Sequence, residues 1–464
     1  MSIDDYLKPK MMIPLVLGAG IRFLLAPLTE QRWDMYTWRL HQAFVYAYHI
    51  NPFWPQPQFQ NIPGVFYWAY PPFWLFTLIV IYPVYMLISP TLYHQYPERL
   101  WETWYKPPFQ QSPNMFESYW SFTPPRVNVN LPVLDLIIKT PIILADIFIA
   151  ITLYAMIESF SKEKATYAYY AWLFNPYAIF ISSVWGVFDA IPSLFTLLSL
   201  RGLLNKKYTK SSLLLGIAIL FKLYPIILIP TVASICHKLS RKFSETVKYG
   251  LVSFGLFFTV TFASYFFSAL LSGQEPVGLS VQLMTFLLGK RASPDWYGQN
   301  IITGLTPLVV LADVFREHNI QNLPVSPFFM TVALVYILMK IYGSEEPSEE
   351  KVLSYVVVTF FAIYLTYTVV NPQYFLWVLP SLLLLSMKKN SFALRYLYWI
   401  MGSIGILFVL WHYDLSYPVS PYFLPESVGY LRIFLTNVPI TVWLTAAAIT
   451  VFYLIGIKLI FKKS

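Results

Sequence analysis

Charge is what this chain has least of. Only 12% of its 464 residues are Asp, Glu, Lys or Arg, half the roughly 25% carried by an ordinary soluble protein. Cysteine is nearly absent: Cys236 stands alone, which excludes an intramolecular disulfide and a cysteine metal cluster. No glycine-rich phosphate loop, no His-Glu-x-x-His and no Gly-x-Ser-x-Gly occurs, so nucleotide-driven transport, kinase action and zinc or serine hydrolysis have no motif behind them. Internal repeats and low-complexity tracts are missing as well. The one acidic run, Glu345-Glu346-Pro347-Ser348-Glu349-Glu350, reads as a solvated connector.

What is present is apolar. The chain is 57% hydrophobic and 19% aromatic, with a mean hydropathy of +0.55. Apolar runs recur at 12–28, 70–90, 133–157, 167–183, 187–204, 211–232, 246–271, 325–342, 351–370, 372–387, 391–411 and 435–460. Most have the length of a bilayer-crossing helix, about 20 residues; a further run at 301–314 is too short. The expectation is therefore an all-α polytopic integral membrane protein of about 12 transmembrane helices, a single domain over 1–464. The first apolar run contains Arg22 and lacks a small-residue cleavage site, so no cleavable signal peptide is expected. Lysines at both ends place both termini in the cytoplasm.

A net charge of +9 does not point to nucleic acid. The basic residues fall in short clusters between spans: Lys206, Lys207 and Lys210; His237, Lys238, Arg241 and Lys242; Lys388 and Lys389; Lys458, Lys462 and Lys463. Such clusters act as topology signals and contacts for lipid headgroups. The first two flank the single run 211–232, however, and cannot both be cytoplasmic if that run crosses once. Three stretches stand outside the runs, 29–69 and 91–132, both rich in proline and aromatics, and 272–300; the first, amphipathic, and the last read as extracytoplasmic loops.

Ionisable residues within membrane spans are costly and so are candidates for function. Asp135, Lys139 and Asp146 share one helical face, at about 0°, 40° and 20° around the axis. Asp135 and Lys139 have the spacing of a self-satisfying pair, while Asp146 must face the protein interior. Asp189 follows Trp185-Gly186 and could cap the next helix. Lys222, inside Phe221-Lys222-Leu223-Tyr224-Pro225, requires a partner carboxylate, a cavity or an anion such as phosphate. Lys290 and Arg291, beside Trp296 and Tyr297, form a basic aromatic loop suited to phosphate. Gln373 and Tyr374 open a span with polar groups. Asp34, just past the first span, is placed to deprotonate a hydroxyl at the membrane surface. His41 and His49 read as surface residues.

Taken together these fragments resemble the GT-C superfamily of integral-membrane glycosyltransferases, and most nearly the first mannosyltransferase of GPI-anchor synthesis and its prokaryotic relatives. The likeness runs in order through Asp34, Tyr70-Pro71-Pro72, Asn175-Pro176 to Ser182-Ser183, Gly186 and Asp189, then Lys222-Leu223-Tyr224-Pro225 and Gln373-Tyr374-Phe375-Leu376-Trp377. The family carries Asp-x-Asp after its first helix; here Arg32 stands where the first acid would be, which speaks against an essential divalent cation.

The resemblance implies transfer of a hexose, by default mannose, from a polyprenyl- or dolichyl-phosphate sugar to a lipid-linked or membrane-proximal glycan acceptor, with inversion and on the extracytoplasmic side. Asp34 would be the catalytic base; Lys290, Arg291, Lys222 and Tyr374 would hold the donor; Arg32, Asp146, Asp189 and Gln373 would support the acceptor or the site. No cofactor is implied, and membrane lipids are the other partners. A lipid-linked oligosaccharide flippase or transporter would call for pseudo-symmetric halves. A glycan polymerase or ligase would call for a late basic loop, where 412–434 offers only His412 and Arg432.

Overall fold

Helix-breaking residues shape this protein more than its apolar runs do. The computed structural model describes residues 9–29, 32–46, 51–53, 68, 70–88, 131–290, 303–304, 325–345, 347–367, 369–412 and 439–461. The first helices are α1 (Pro9–Leu25), α2 (Arg32–Tyr46), α3 (Pro72–Ile88) and α4 (Leu131–Ile157). Then come α5 (Lys162–Leu173), α6 (Pro176–Ile179, prolonged by a π-helical stretch Phe180–Trp185), α7 (Ala190–Leu204), α8 (Tyr208–Phe221) and α9 (Leu228–Ser240). The series ends with α10 (Phe243–Leu271), α11 (Pro276–Thr285), α12 (Val325–Tyr342), α13 (Glu349–Thr366), α14 (Phe375–Lys388), α15 (Phe392–His412) and α16 (Pro439–Phe461). A two-residue parallel ladder pairs Thr303–Gly304 with Val369–Val370. Among the described residues three helical stretches are long and apolar enough to cross a membrane, Met11–Leu28, Val133–Ile157 and Phe243–Leu271, and the remaining apolar helices are shorter.

Two expected spans are broken. The run 167–183 divides at Asn175-Pro176: the Asn175 side chain accepts from the Tyr177 and Ala178 amides, and Pro176 occupies the first helical turn, where its missing N–H costs nothing. The run 211–232 divides at Lys222, which is extended at φ −153° and ψ 142°. Pro225 explains the break: it has no amide for the Phe221 carbonyl and its ring would clash there. A short 3₁₀ turn, Tyr224–Ile227, then leads into α9.

This second break removes the conflict over the basic clusters. Helices α8 and α10 run parallel, with the Ser211 and Tyr249 hydroxyls 2.9 Å apart, Ser253 donating to the Ser212 carbonyl at 3.0 Å, and Gly216 set against Leu256. Because α9 leads straight into α10, it runs back along α10 toward the end where α8 began. Residues 206–210 and 240–248 consequently line one cavity. Helices α8 and α9 form a splayed hairpin whose arms reach about 20 Å each at 1.5 Å per residue, less than the roughly 30 Å of a hydrocarbon core.

The stretch 29–69, expected as a loop on the bilayer surface, contains α2, and its Trp38, Arg39, His41 and Gln42 are buried. Gln42 donates to the Leu78 carbonyl at 2.9 Å and Tyr46 to that of Ile79 at 2.6 Å, fixing α2 against α3. Asn51 joins this region to the second expected loop: its amide donates to Gln274 at 2.8 Å and its carbonyl oxygen accepts from Ser268. At the centre stands α4, in contact with α1, α3, α5, α7 and α14.

Candidate functional site

Three helix breaks meet in the interior: the turn at 186–189 between α6 and α7, the tip at 222–227 between α8 and α9, and the turn into α14 through the 3₁₀ segment Pro372–Tyr374. Glycine makes the first possible. Gly186 has φ +85°, and a Cβ there would lie 2.7 Å from Lys139 Cε and 2.9 Å from Met35 Sδ, so both the backbone angle and the space select glycine.

Asp189 and Lys222 pair across these turns. Lys222 Nζ donates to Asp189 Oδ1 and Oδ2 at 2.8 and 2.7 Å, and Trp377 Nε1 donates to Oδ1 at 2.5 Å. The carboxylate is fully buried and the lysine side chain 6% exposed. Aromatic rings sheathe the pair: Lys222 Nζ lies 5.3–5.8 Å from the centroids of Phe188, Tyr374, Trp377 and Tyr70, within range of cation–π attraction. Trp377 is stacked between Tyr224 (3.8 Å, 4°) and Tyr374 (3.9 Å, 22°). Two backbone anchors hold the last turn in register, the Tyr177 hydroxyl on the Pro372 carbonyl at 2.5 Å and the Tyr364 hydroxyl on that of Tyr374 at 2.6 Å.

The other buried charges form a chain along α4. Arg22 Nε donates to Asp146 Oδ2 at 2.7 Å, and the same carboxylate accepts from Trp172 Nε1 and Ser182 Oγ at 2.8 Å each. Arg22 also reaches the Leu173 and Gly18 carbonyls. Lys139 points its ammonium at the carbonyls of Ala26 (3.0 Å), Ser183 (2.9 Å), Val184 (3.2 Å) and Thr29. These close the 3₁₀ turn after α1 and the π-helical stretch, two helix ends whose negative poles favour a cation. Asp135 pairs with Arg39. The Asp135–Lys139 pair expected from spacing is therefore not made, because each finds a better partner on another segment.

Several sequence expectations change here. Asp189 sits at the start of α7 but makes no side-chain cap; its carboxylate goes to Lys222 instead. His41 is buried rather than on the surface, with Nδ1 2.8 Å from the Thr37 carbonyl and its ring edge-on to Trp68. Asp34, half-buried in the first turn of α2, accepts a 2.7 Å hydrogen bond from Trp185 Nε1. Gln373 is buried beside Tyr374. Arg32 begins α2; its side chain, that of Lys290, and all of Arg291 and His49 lie outside the described residues. Among the described residues no group of three His, Cys, Asp or Glu side chains is placed to hold a metal ion. Sequence reading did not find Arg39 or Trp172; Ser182, Trp185 and Trp377 stood within quoted motifs but were given no role.

The family of PIG-U, described as a GPI transamidase subunit, matches residues 103–284. No curated protein matches the chain. The GPI-anchor context expected from the motifs is shared by this family, but the reaction is not. A transamidase subunit does not move a hexose from a polyprenyl phosphate, and the expected hexosyltransferase activity is corrected on that ground, together with the donor and acceptor assigned to it. The matched segment takes in α4 to α11, and with them Asp135, Lys139, Asp146, Asp189, Lys222 and both clustered lysine loops; Tyr374 and Trp377 stand outside it. Over that part of its length, the chain is similar to the GPI transamidase subunit PIG-U.

Proposed function

We propose that this chain is a membrane subunit of a transamidase-type complex, and that it holds companion subunits and a lipid-linked substrate in place rather than breaking bonds itself. The similarity over residues 103–284 carries the proposal. The site chemistry agrees with it. Asp189, Lys222, Asp146 and Lys139 are each committed to two or more hydrogen bonds from fixed partners. A general base must exchange protons during turnover, whereas groups locked in this way maintain the positions of the helix breaks. Lys222, Asp189, Tyr374 and Gln373 thus belong to a frame at the three tips, and no divalent cation is needed for that role.

The basic loops define a cytoplasmic side, and the tips point away from it. The substrate and the catalytic partner then meet the chain on the extracytoplasmic side. In this arrangement α1, α4 and α10 cross fully, and shorter helices such as α8 and α9 pair into hairpins that return to the side they left. The exposed apolar faces of α12 (Phe328, Val332, Val335, Met339) and α3 (Val80, Val84, Leu87) are the surfaces available to lipid and companion subunits.

The test is to purify the tagged full chain from its native membranes in mild detergent and assay acyl transfer from a peptide to an amine nucleophile such as hydrazine. The expected result is a stoichiometric complex with that activity, which is lost when the chain is separated from its companions. Isolation of a single active chain that releases polyprenyl phosphate from a polyprenyl-phosphate sugar would overturn it.

A further inference from the structure

Away from the three tips, the loops between α7 and α8 and between α9 and α10 border an open cavity of about 480 Å³ lined by Lys206, Lys207, Lys210, Lys242 and Lys248 with a single carboxylate, Glu245. We propose that this cavity is a binding site for a phosphate-bearing anion, the headgroup of an acidic phospholipid.

Five ammonium groups face one carboxylate, and among the described residues none of the five makes an ion pair. Elsewhere Lys388 and Lys389 are paired, with Glu349 and Glu350. Helix polarity makes the concentration of charge more telling. Lys207 and Lys242 are the residues that precede the first turns of α8 and α10, and neither helix has a side-chain cap. Their first-turn amides and positive poles open onto the cavity already filled with cations. Lysine is the wrong sign for a helix start, and a bound anion reverses that mismatch at both helices at once. Both corners are also wound in the left-handed region, Lys206 at φ 57° and Arg241 at φ 58°, without a glycine in either place.

The phospholipid source follows from what adjoins the cavity. Phe243, Val247 and Leu251 lie four residues apart along α10, starting in its first turn, and are 70%, 42% and 68% exposed. Leu251 lies about 60° round α10 from Lys248, so this stripe runs on the face of the helix next to the cavity, where acyl chains can lie while the phosphate occupies the lysine cluster. Ordinary headgroup attraction spreads along a basic surface; here two hairpin ends bring their lysines round one open pocket.

The test uses the full chain in nanodiscs of equal phosphatidylcholine and phosphatidic acid, counting retained lipid by native mass spectrometry. A second arm measures melting in phosphatidylcholine alone with added inorganic pyrophosphate. The variants are Lys207→Gln/Lys210→Gln/Lys242→Gln and the corresponding triple arginine substitution. All three positions are exposed, and melting without any anion checks that both variants fold. Retained phosphatidic acid should exceed phosphatidylcholine in the unmodified chain, with a preference falling at least about tenfold in the glutamine variant and persisting in the arginine variant. Stabilisation by pyrophosphate alone, again lost with glutamine, would support the anion site with a soluble phosphate as its source. Absence of both responses, or responses equal in the glutamine variant, would overturn the proposal.

Discussion

Replacing Lys222 by methionine removes the ammonium while keeping much of its length and apolar contact with Phe188, Tyr374 and Trp377. The Asp189 carboxylate, fully buried, then loses two hydrogen bonds of 2.7–2.8 Å and retains only the Trp377 indole N–H. Deleting one partner of a buried pair costs about 3–5 kcal/mol, because the surviving charge is left uncompensated. Lost cation–π attraction to the surrounding rings adds to this, about 0.5–2 kcal/mol for a desolvated cation. Adding Asp189→Asn removes the stranded charge yet keeps an oxygen for Trp377 Nε1. The double variant should therefore be more stable than Lys222→Met alone, with a coupling of about 2–4 kcal/mol. The assay is unfolding of the purified chain in detergent followed by intrinsic fluorescence, for which its 15 tryptophans serve. Lys222→Met should lower the melting temperature by several degrees and the double variant should recover most of that. If the two substitutions destabilise additively, Lys222 and Asp189 do not act as a pair, and the account of the tips as a locked frame fails.

Gly186→Ala should destabilise by about 2 kcal/mol or more, since a Cβ at φ +85° would meet Lys139 Cε at 2.7 Å; unfolding in detergent checks it, and a neutral result would mean the turn relaxes freely. In a Cys236→Ser background, cysteines at Lys207 and Lys242 should react with an impermeant thiol reagent from the same side of the membrane, because both line one cavity; labelling from opposite sides would restore a single crossing by 211–232. Arg22→Met should cost about 3–5 kcal/mol for the same reason as Lys222→Met, and Asp146→Asn in that background should recover most of the loss, measured again by melting. Asp34→Asn should leave the folded state within about 1 kcal/mol of the unmodified chain, because the amide oxygen still accepts from Trp185 Nε1.

The positions of the buried charges were legible because a helix period of 3.6 fixes which face a residue takes. Asp146 had to face inward, and it does, at 0% exposure. The partners were not legible, because periodicity within one helix is silent about segments far away in sequence: Asp146 finds Arg22 across 124 residues and Asp135 finds Arg39 across 96. A spacing rule could offer only Asp135–Lys139. Helix α2 was missed for a related reason. Its Arg39, His41 and Gln42 read as polar loop residues, but they are buried because α3, α4 and the aromatic group of Trp38, Trp68, Tyr70 and Trp74 close over that side.

The hexosyl transfer drawn from the resemblance was corrected in an instructive place. Asn175-Pro176, Lys222-Leu223-Tyr224-Pro225 and Gln373-Tyr374-Phe375-Leu376-Trp377 are motifs that carried much of the likeness, and in the structure each one lies at a helix break. At all three a proline stands at the break; at the first the Asn175 side chain accepts from two freed amides, at the second Lys222 pairs with Asp189, and Gln373 lies in the turn before α14. In a membrane such breaks survive only where protein groups satisfy the freed backbone. Motifs of this kind are set by the requirement to stop helices inside a bilayer. They specify a framework, and a framework is compatible with more than one reaction. The matched PIG-U segment contains the first two breaks and not the third, so the likeness extends to the frame around Asp189 and Lys222 without including the stacked tyrosine and tryptophan of α14. What distinguishes this chain's function should therefore be sought where that frame meets its surroundings, at the half-buried Asp34 against Trp185 and at the lysine-lined cavity on the other face, rather than in the buried pairs that hold it together.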